Sequence, residues 1–348
     1  MDLDSGEIYF IREQVGGEYT EFTKIGKVAE RPGRSSLDRA KEHQTGNPRP
    51  LVPIKVVQTV FVSEVENTLH REFAPKRILP GEWFKLNDAE ITHAIARCGE
   101  LSAANATLIP MFEQAESLAT TPSGDNVIPA TEDASSWLQA FRRADYGLKL
   151  IDTAKKKLQN FLVDAASRGI DVTEFVDITT DRPRFALDSE LFKQTYPDLI
   201  AAFTTTSAEF SSKTFKVVPN RGEVFDADGE LTEVVAATSE LERAIQTATD
   251  DRDEIVRMHT LYFTMIAVQP SLKKQKEISE AHIKVLCGAN AGIEGICSWR
   301  RATEERTKIE WESIKAAHPA EHTACSSWRE PVTKVKIRRG GGGGYDNE

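Results

Sequence analysis

Cysteine is scarce in this sequence, with four residues in 348, and none of them stand at CxxC spacing. That argues against a disulfide framework and a structural zinc site, and the expectation is a reduced, cytoplasmic protein. No apolar run reaches the roughly 20 residues that a membrane helix needs, so no membrane partner is expected. The first residues, MDLDSGE, are acidic and lack the basic start of a signal peptide. Positive charge is also in deficit: 44 Lys and Arg against 54 Asp and Glu leave a formal net charge of -10. This argues against bulk attraction to nucleic acid. It leaves room for a local cationic cleft, because phosphate affinity depends on where Lys and Arg sit. The remainder is ordinary globular composition, 40% hydrophobic and 28% charged, with a length suited to two or three domains.

The richest stretch lies near the N-terminus. Residues 7–14, with Ile, Tyr and Phe, read as a strand, and residues 22–28 as a second. Gly16-Gly17 between them can take the positive φ of a hairpin turn, which puts Tyr9 and Lys24 in position to face each other. Residues 34–45 read as a helix with Ser35 or Ser36 at its N-cap, ended by Gly46-Asn47-Pro48. Arg39 and His43, four apart, share one face of it. Residues 53–62 read as a third strand, and Ser63 opens a second helix. Val65, Leu69 and Phe73 form its apolar stripe, with Glu66 and His70 in a polar stripe beside it. Trp83 and Phe84 close the core. Each polar residue also has an ordinary reading. Ser63-x-x-Glu66 is a capping-box pattern, in which the Glu carboxylate merely accepts a backbone N–H. Spacing alone is suggestive and no more.

The strings themselves carry a resemblance. EIYFI (7–11), Lys24-Ile25-Gly26, Arg39 with His43 one turn later, QTGNP (44–48), ENTLH (66–70) and GEWF (81–84) follow in order. This stretch resembles the GIY-YIG nucleases, in the phage-associated branch with a KIG triplet and a GEWF ending. Glu7 stands where the family has the Gly of its first triplet, and Lys24 where it has the Tyr of its second. Asn87 is a weak match to the late Asn of other branches. The resemblance implies an α/β sandwich with a three-stranded, mainly antiparallel sheet, and hydrolysis of phosphodiester bonds. It implies that Glu66 holds Mg²⁺ or Mn²⁺, since magnesium takes only one or two carboxylates. Tyr9 would take a proton from the attacking water, with Lys24 lowering its pKa. Arg39 would stabilise charge on the phosphate, and His43 would orient the water or relay a proton. Lys27, Asn47 and His70 are further candidates for substrate contact, His70 having a structural reading as well.

Beyond this unit, taken as residues 1–115, the polar segment 116–135 reads as a linker. A helical region with short strands follows. LDSELFKQTYP (187–197) lines up with IEWESIKAAHP (309–319) at an offset of 122, and strand-like FKVV (215–218) and VKI (335–337) follow the two copies. Helices over 146–168 and 275–290 precede them and are expected to pack together. We therefore expect helical repeats over 136–220 and 256–339, an acidic, solvated connector over 221–255, and a disordered Gly-rich tail over 340–348. The copies are weakly similar to an accessory region that accompanies YqaJ-type phage exonucleases. Trp299-Arg300-Arg301 can stack a base and contact a phosphate, or simply form a surface turn.

The expectation is thus an α+β protein: a metal-dependent endonuclease acting on nucleic acid, DNA above all, in phage or anti-phage biology, with C-terminal repeats for targeting or assembly. The alternative is a catalytically silent DNA-binding or assembly module. One site with one metal makes one cut, so a double-strand break calls for a homo-oligomer or two encounters.

Overall fold

The computed structural model describes residues 3–30, 35–45, 47–78, 81–211, 215–226, 228–248 and 251–338. The expected tail over 340–348, and Gly46 of the QTGNP string, lie outside them.

β1 (Gly6–Val15) and β2 (Glu18–Ala29) form the expected hairpin. Gly16 and Gly17 turn it at φ +63° and +91°, the positive values that a two-residue loop of type I′ demands. α1 (Ser36–Gln44) is capped by Ser35 in a capping box with Asp38. β3 (Leu51–Thr59) returns antiparallel to β1. α2 (Val62–Glu72) and a short 3₁₀ turn lead to β4 (Arg77–Ile78) and β5 (Trp83–Lys85). The sheet is therefore five-stranded, in the order β3-β1-β2-β5-β4, and antiparallel throughout. The three strands expected are its centre. β4 and β5 extend it because the GEWF segment pairs with β2 as well as closing the core.

Alternation along β1 and β2 makes two apolar layers. Ile8, Phe10 and Ile25 pack against α2 and α3 (Asp88–Ala106) through Val65, Leu69, Ile91 and Ala94. Tyr9, Ile11 and Val28 pack on the other face with Ala40 of α1. α4 (Ile109–Ala119) then leaves the sandwich.

The C-terminal region is built on two 36-residue helices, α5 (Glu132–Ser167) and α9 (Arg252–Cys287), longer than the helices read from the sequence. Before α5 lies β6 (Val127–Ile128). Between α5 and α9 lie β7 (Val176–Thr180), β8 (Arg184–Leu187), α6 (Ser189–Thr195), α7 (Pro197–Ala202), β9 (Thr204–Ser211), β10 (Lys216–Val217) and α8 (Gly229–Thr247). After α9 come β11 (Gly292–Ile293), β12 (Cys297–Ser298), β13 (Ala302–Ile309), α10 (Trp311–Ala317), α11 (Pro319–Ala324), β14 (Ser326–Arg329) and β15 (Thr333–Ile337). Two segments differ from expectation. The 116–135 stretch is held by β6 pairing with β11 and by Ser123 and Gly124 donating to the Arg301 and Ala289 carbonyls. α8, read as a solvated connector, buries Val234, Ala237 and Leu241 in the main core with α5 and α9, and Leu231 beside Gly147 of α5. Its acidic residues occupy only the outer face.

The offset of 122 recurs in the folded chain. α6 and α7 shifted by 122 give the bounds of α10 and α11. β8 pairs with β14 and β9 with β13, so each short strand pairs with one from the other copy. Leu187 faces Ser326, and exchanging both by 122 gives Ile309 facing Thr204, which is the register observed. The same exchange relates Asp188 N–H donating to the Cys325 carbonyl (2.8 Å) to Glu310 N–H donating to that of Phe203 (3.0 Å). An approximate two-fold axis passes between the copies.

Trp299 and Arg301 are fully buried, neither a surface turn nor a base platform. The Arg301 guanidinium lies 3.8 Å from the Trp299 ring centroid and donates to the Thr121 and Gly288 carbonyls. All four cysteines are free thiols and buried. Among the described residues, no helix is long and apolar enough to cross a membrane.

Candidate active site

Tyr9 sits in the middle of β1, opposite Gly26 of β2, and is 1% exposed. A Cβ on Gly26 would collide with the Tyr9 hydroxyl and ring. The Gly of the KIG triplet therefore makes the space into which Tyr9 leans. The Tyr9 hydroxyl lies 3.2 Å from His43 Nε2 on α1. Arg39, one turn earlier on the same helix face, also hydrogen-bonds the hydroxyl and pairs with Glu42 at 2.7 Å.

Lys24 faces Ile11, not Tyr9, across the hairpin, two residues along on the same face. Its ammonium is paired at 2.9 Å with Glu82, a residue that spacing did not single out. Glu82 precedes β5, and its backbone carbonyl accepts the Ile25 N–H. Burial by itself would raise the Glu82 carboxyl. The Lys24 ammonium, hydrogen-bonded to it, outweighs that and holds it below the usual carboxylate range.

This arrangement overturns one expectation. Lys24 was to lower the Tyr9 phenol, but the phenol is pushed well above its ordinary value of about 10. Burial is the largest cause and the Glu82 carboxylate the next. Arg39 pulls the other way, and Glu66 adds to the rise. Because Glu82 cancels the Lys24 charge at close range, the pair gives Tyr9 little help towards the phenolate.

Glu66 and His70 come from α2, on the opposite face of the sheet. Glu66 is not a capping-box residue. The N-cap is Phe61, held in the left-handed region at φ +55°, and Ser63 lies inside the helix with its N–H on the Asp4 carboxylate. The Glu66 carboxylate lies 3.6 Å from the Lys27 ammonium, which also donates to the Ser63 hydroxyl at 2.6 Å. His70 Nε2 donates to the Ile25 carbonyl at 2.9 Å, and burial pushes the imidazole down to about 4. It is neutral at physiological pH and ties α2 to β2 just where the pairing with β5 ends. Glu82 links the two faces, since its charge acts on Tyr9 and His43 on one side and on His70 on the other.

Asn47 lies in the turn after α1, where its side chain accepts the Arg49 N–H. Gln44 donates to the Asn47 and Arg49 carbonyls and accepts from the Leu51 N–H, so the QTGNP string clamps α1 to β3. Glu7 accepts from the Ser36 N–H at the start of α1 and from Gln58 on β3. Asn87 caps α3 in a capping box with Glu90.

Among the described residues, no group of three or more His, Cys, Asp or Glu is placed to hold a metal. Glu66 offers a single, largely buried carboxylate. That donor set fits a hydrated Mg²⁺ or Mn²⁺, which keeps several waters, and does not fit a closed zinc cage.

Residues 6–99 match the T5orf172 domain. This is a phage-associated, nuclease-like domain of the GIY-YIG-like kind, and the match covers the whole five-stranded sandwich. No curated protein and no solved structure matches the chain.

Proposed function

We propose that residues 6–99 form a divalent-metal-dependent endonuclease that hydrolyses phosphodiester bonds in DNA, in phage or anti-phage biology. The C-terminal region would serve targeting or assembly. The observation that supports this most is one buried tyrosine whose hydroxyl meets His43 and Arg39, with Lys24, paired to Glu82, two residues along on the same face. So many ionisable groups around one hydroxyl are poorly explained by packing alone.

Glu66 would hold Mg²⁺ or Mn²⁺, which when bound supplies Lewis-acid polarisation of the scissile phosphate. The raised phenol makes Tyr9 a relay, not a free base. Water loses a proton to the Tyr9 oxygen as the Tyr9 proton passes to His43 Nε2. The water oxygen bonds to phosphorus, the bond to the leaving oxygen breaks, and that oxygen takes a proton from solvent. Arg39 steadies the charge growing on the phosphate.

The test is cutting of supercoiled plasmid and single-stranded circular DNA with Mg²⁺, Mn²⁺ or chelator. Glu66→Ala and Tyr9→Phe should each lower the rate about 100-fold or more while the chain stays folded, as read by circular dichroism. The raised phenol favours one second reading, a catalytically silent DNA-binding module. Wild type that binds DNA but never cuts would establish it.

A further inference from the structure

The β8–β14 and β9–β13 ladders share one register and differ in chemistry. In β8–β14, Phe185 faces Trp328. The positions related by 122 in β9–β13 are Thr307 and Thr206, which also face each other. The ladder therefore forms with threonine at both sites, and folding does not call for the aromatic pair. Yet Phe185 is 49% and Trp328 70% exposed, with ring centroids 5.5 Å apart. Arg184 and Arg329 are the next pair along, on the opposite face of a ribbon two strands wide. The neighbouring carboxylates Asp177, Asp181 and Asp188 are paired with Arg338, Lys334 and Arg329. Glu330 is the one further carboxylate on these segments, so residues 181–188 and 326–334 keep a surplus of one positive charge, with Arg182 and Arg184 beside Phe185, in a C-terminal region that is acidic as a whole.

We propose that the Phe185–Trp328 ribbon is a binding site for single-stranded nucleic acid, with bases stacked on the two rings and guanidinium groups on the flanking phosphates. Every base has a π face, so two open rings beside surplus cations suit a single strand whatever its sequence. A protein partner would be met by a broader apolar face, and among the described residues of this ribbon only Phe185 and Trp328 are large, exposed hydrophobics. The proposal is independent of catalysis by residues 6–99.

The experiment uses the full chain in chelator, with a fluorescent oligothymidylate of about 20 nucleotides and the matching oligouridylate. Phe185→Thr with Trp328→Thr copies the sister ladder, so the fold has a precedent within the chain. We expect it to bind about tenfold or more weakly, while Thr206→Ala with Thr307→Ala binds as wild type. Wild-type tryptophan fluorescence should be quenched on binding, and Arg184→Gln should flatten the salt dependence. The proposal is overturned if wild type binds neither oligonucleotide, or if the double threonine variant binds as tightly as wild type. Loss of self-association in that variant, with oligonucleotide binding intact, would likewise overturn it and make the ribbon a protein contact.

Discussion

Gly26 is the residue on which the tyrosine's position depends. Gly26→Ala forces Tyr9 or β2 to move, and overpacking of this kind costs about 1–3 kcal/mol. We expect a lower melting temperature together with loss of the Tyr9–His43 contact, read by cleavage and by the chemical shifts of His43. His70 gives a second test. Its folded value of about 4 lies below the ordinary value of about 6.5. Between the two, the unfolded chain binds a proton that the folded chain does not. The stability due to neutral His70 is complete above about pH 6.5 and is lost as pH falls through about 4, with a slope of at most about 1.4 kcal/mol per pH unit. Urea titrations across that window should show a flatter slope in His70→Gln. Periodicity put Tyr9 on a strand and Arg39 with His43 on one helix face, and it was the resemblance that singled them out. Glu82 was not legible, because its position depends on β5 pairing with β2, and a three-residue strand leaves no periodic trace.

Among the elements, α1 bears two of the site's groups and is held at both ends. Glu7 receives its first N–H, and Gln44 secures its last turn through three hydrogen bonds to the following loop and β3. Gln44→Ala should lower stability by about 1–3 kcal/mol in chemical denaturation and blur the position of His43. The polar atoms of Gln44 and the Asn47 side chain are thus spent on backbone. The hairpin, α1 and α2 could be read from turn glycines, caps and apolar stripes. α8 could not, because its acidic outer face dominates the composition while four apolar side chains carry its burial. Trp299 and Arg301 were equally opaque, since Arg301 packs on the Trp299 ring and donates to carbonyls of Thr121 and Gly288, far apart in sequence.

At the scale of the whole molecule, the nuclease-like sandwich is seated on α9. Phe61 and Phe112 meet with tilted rings, centroids 5.7 Å apart, in one cluster with Ala281, and Lys274 pairs with Glu64 at 3.0 Å. Phe112→Ala should cost about 3–5 kcal/mol, and hydrogen exchange should rise in α4 and at the α9 face that meets it. The copies related by the two-fold axis are joined in one chain, and that has a consequence for dilution. Two separate subunits would part as concentration falls, whereas tethered halves meet at a fixed local concentration however dilute the protein becomes. The melting temperature of this region should therefore not change with protein concentration. Tethering also frees the halves from identity: one ladder can keep threonines while its sister carries rings, an asymmetry closed to any assembly of identical subunits.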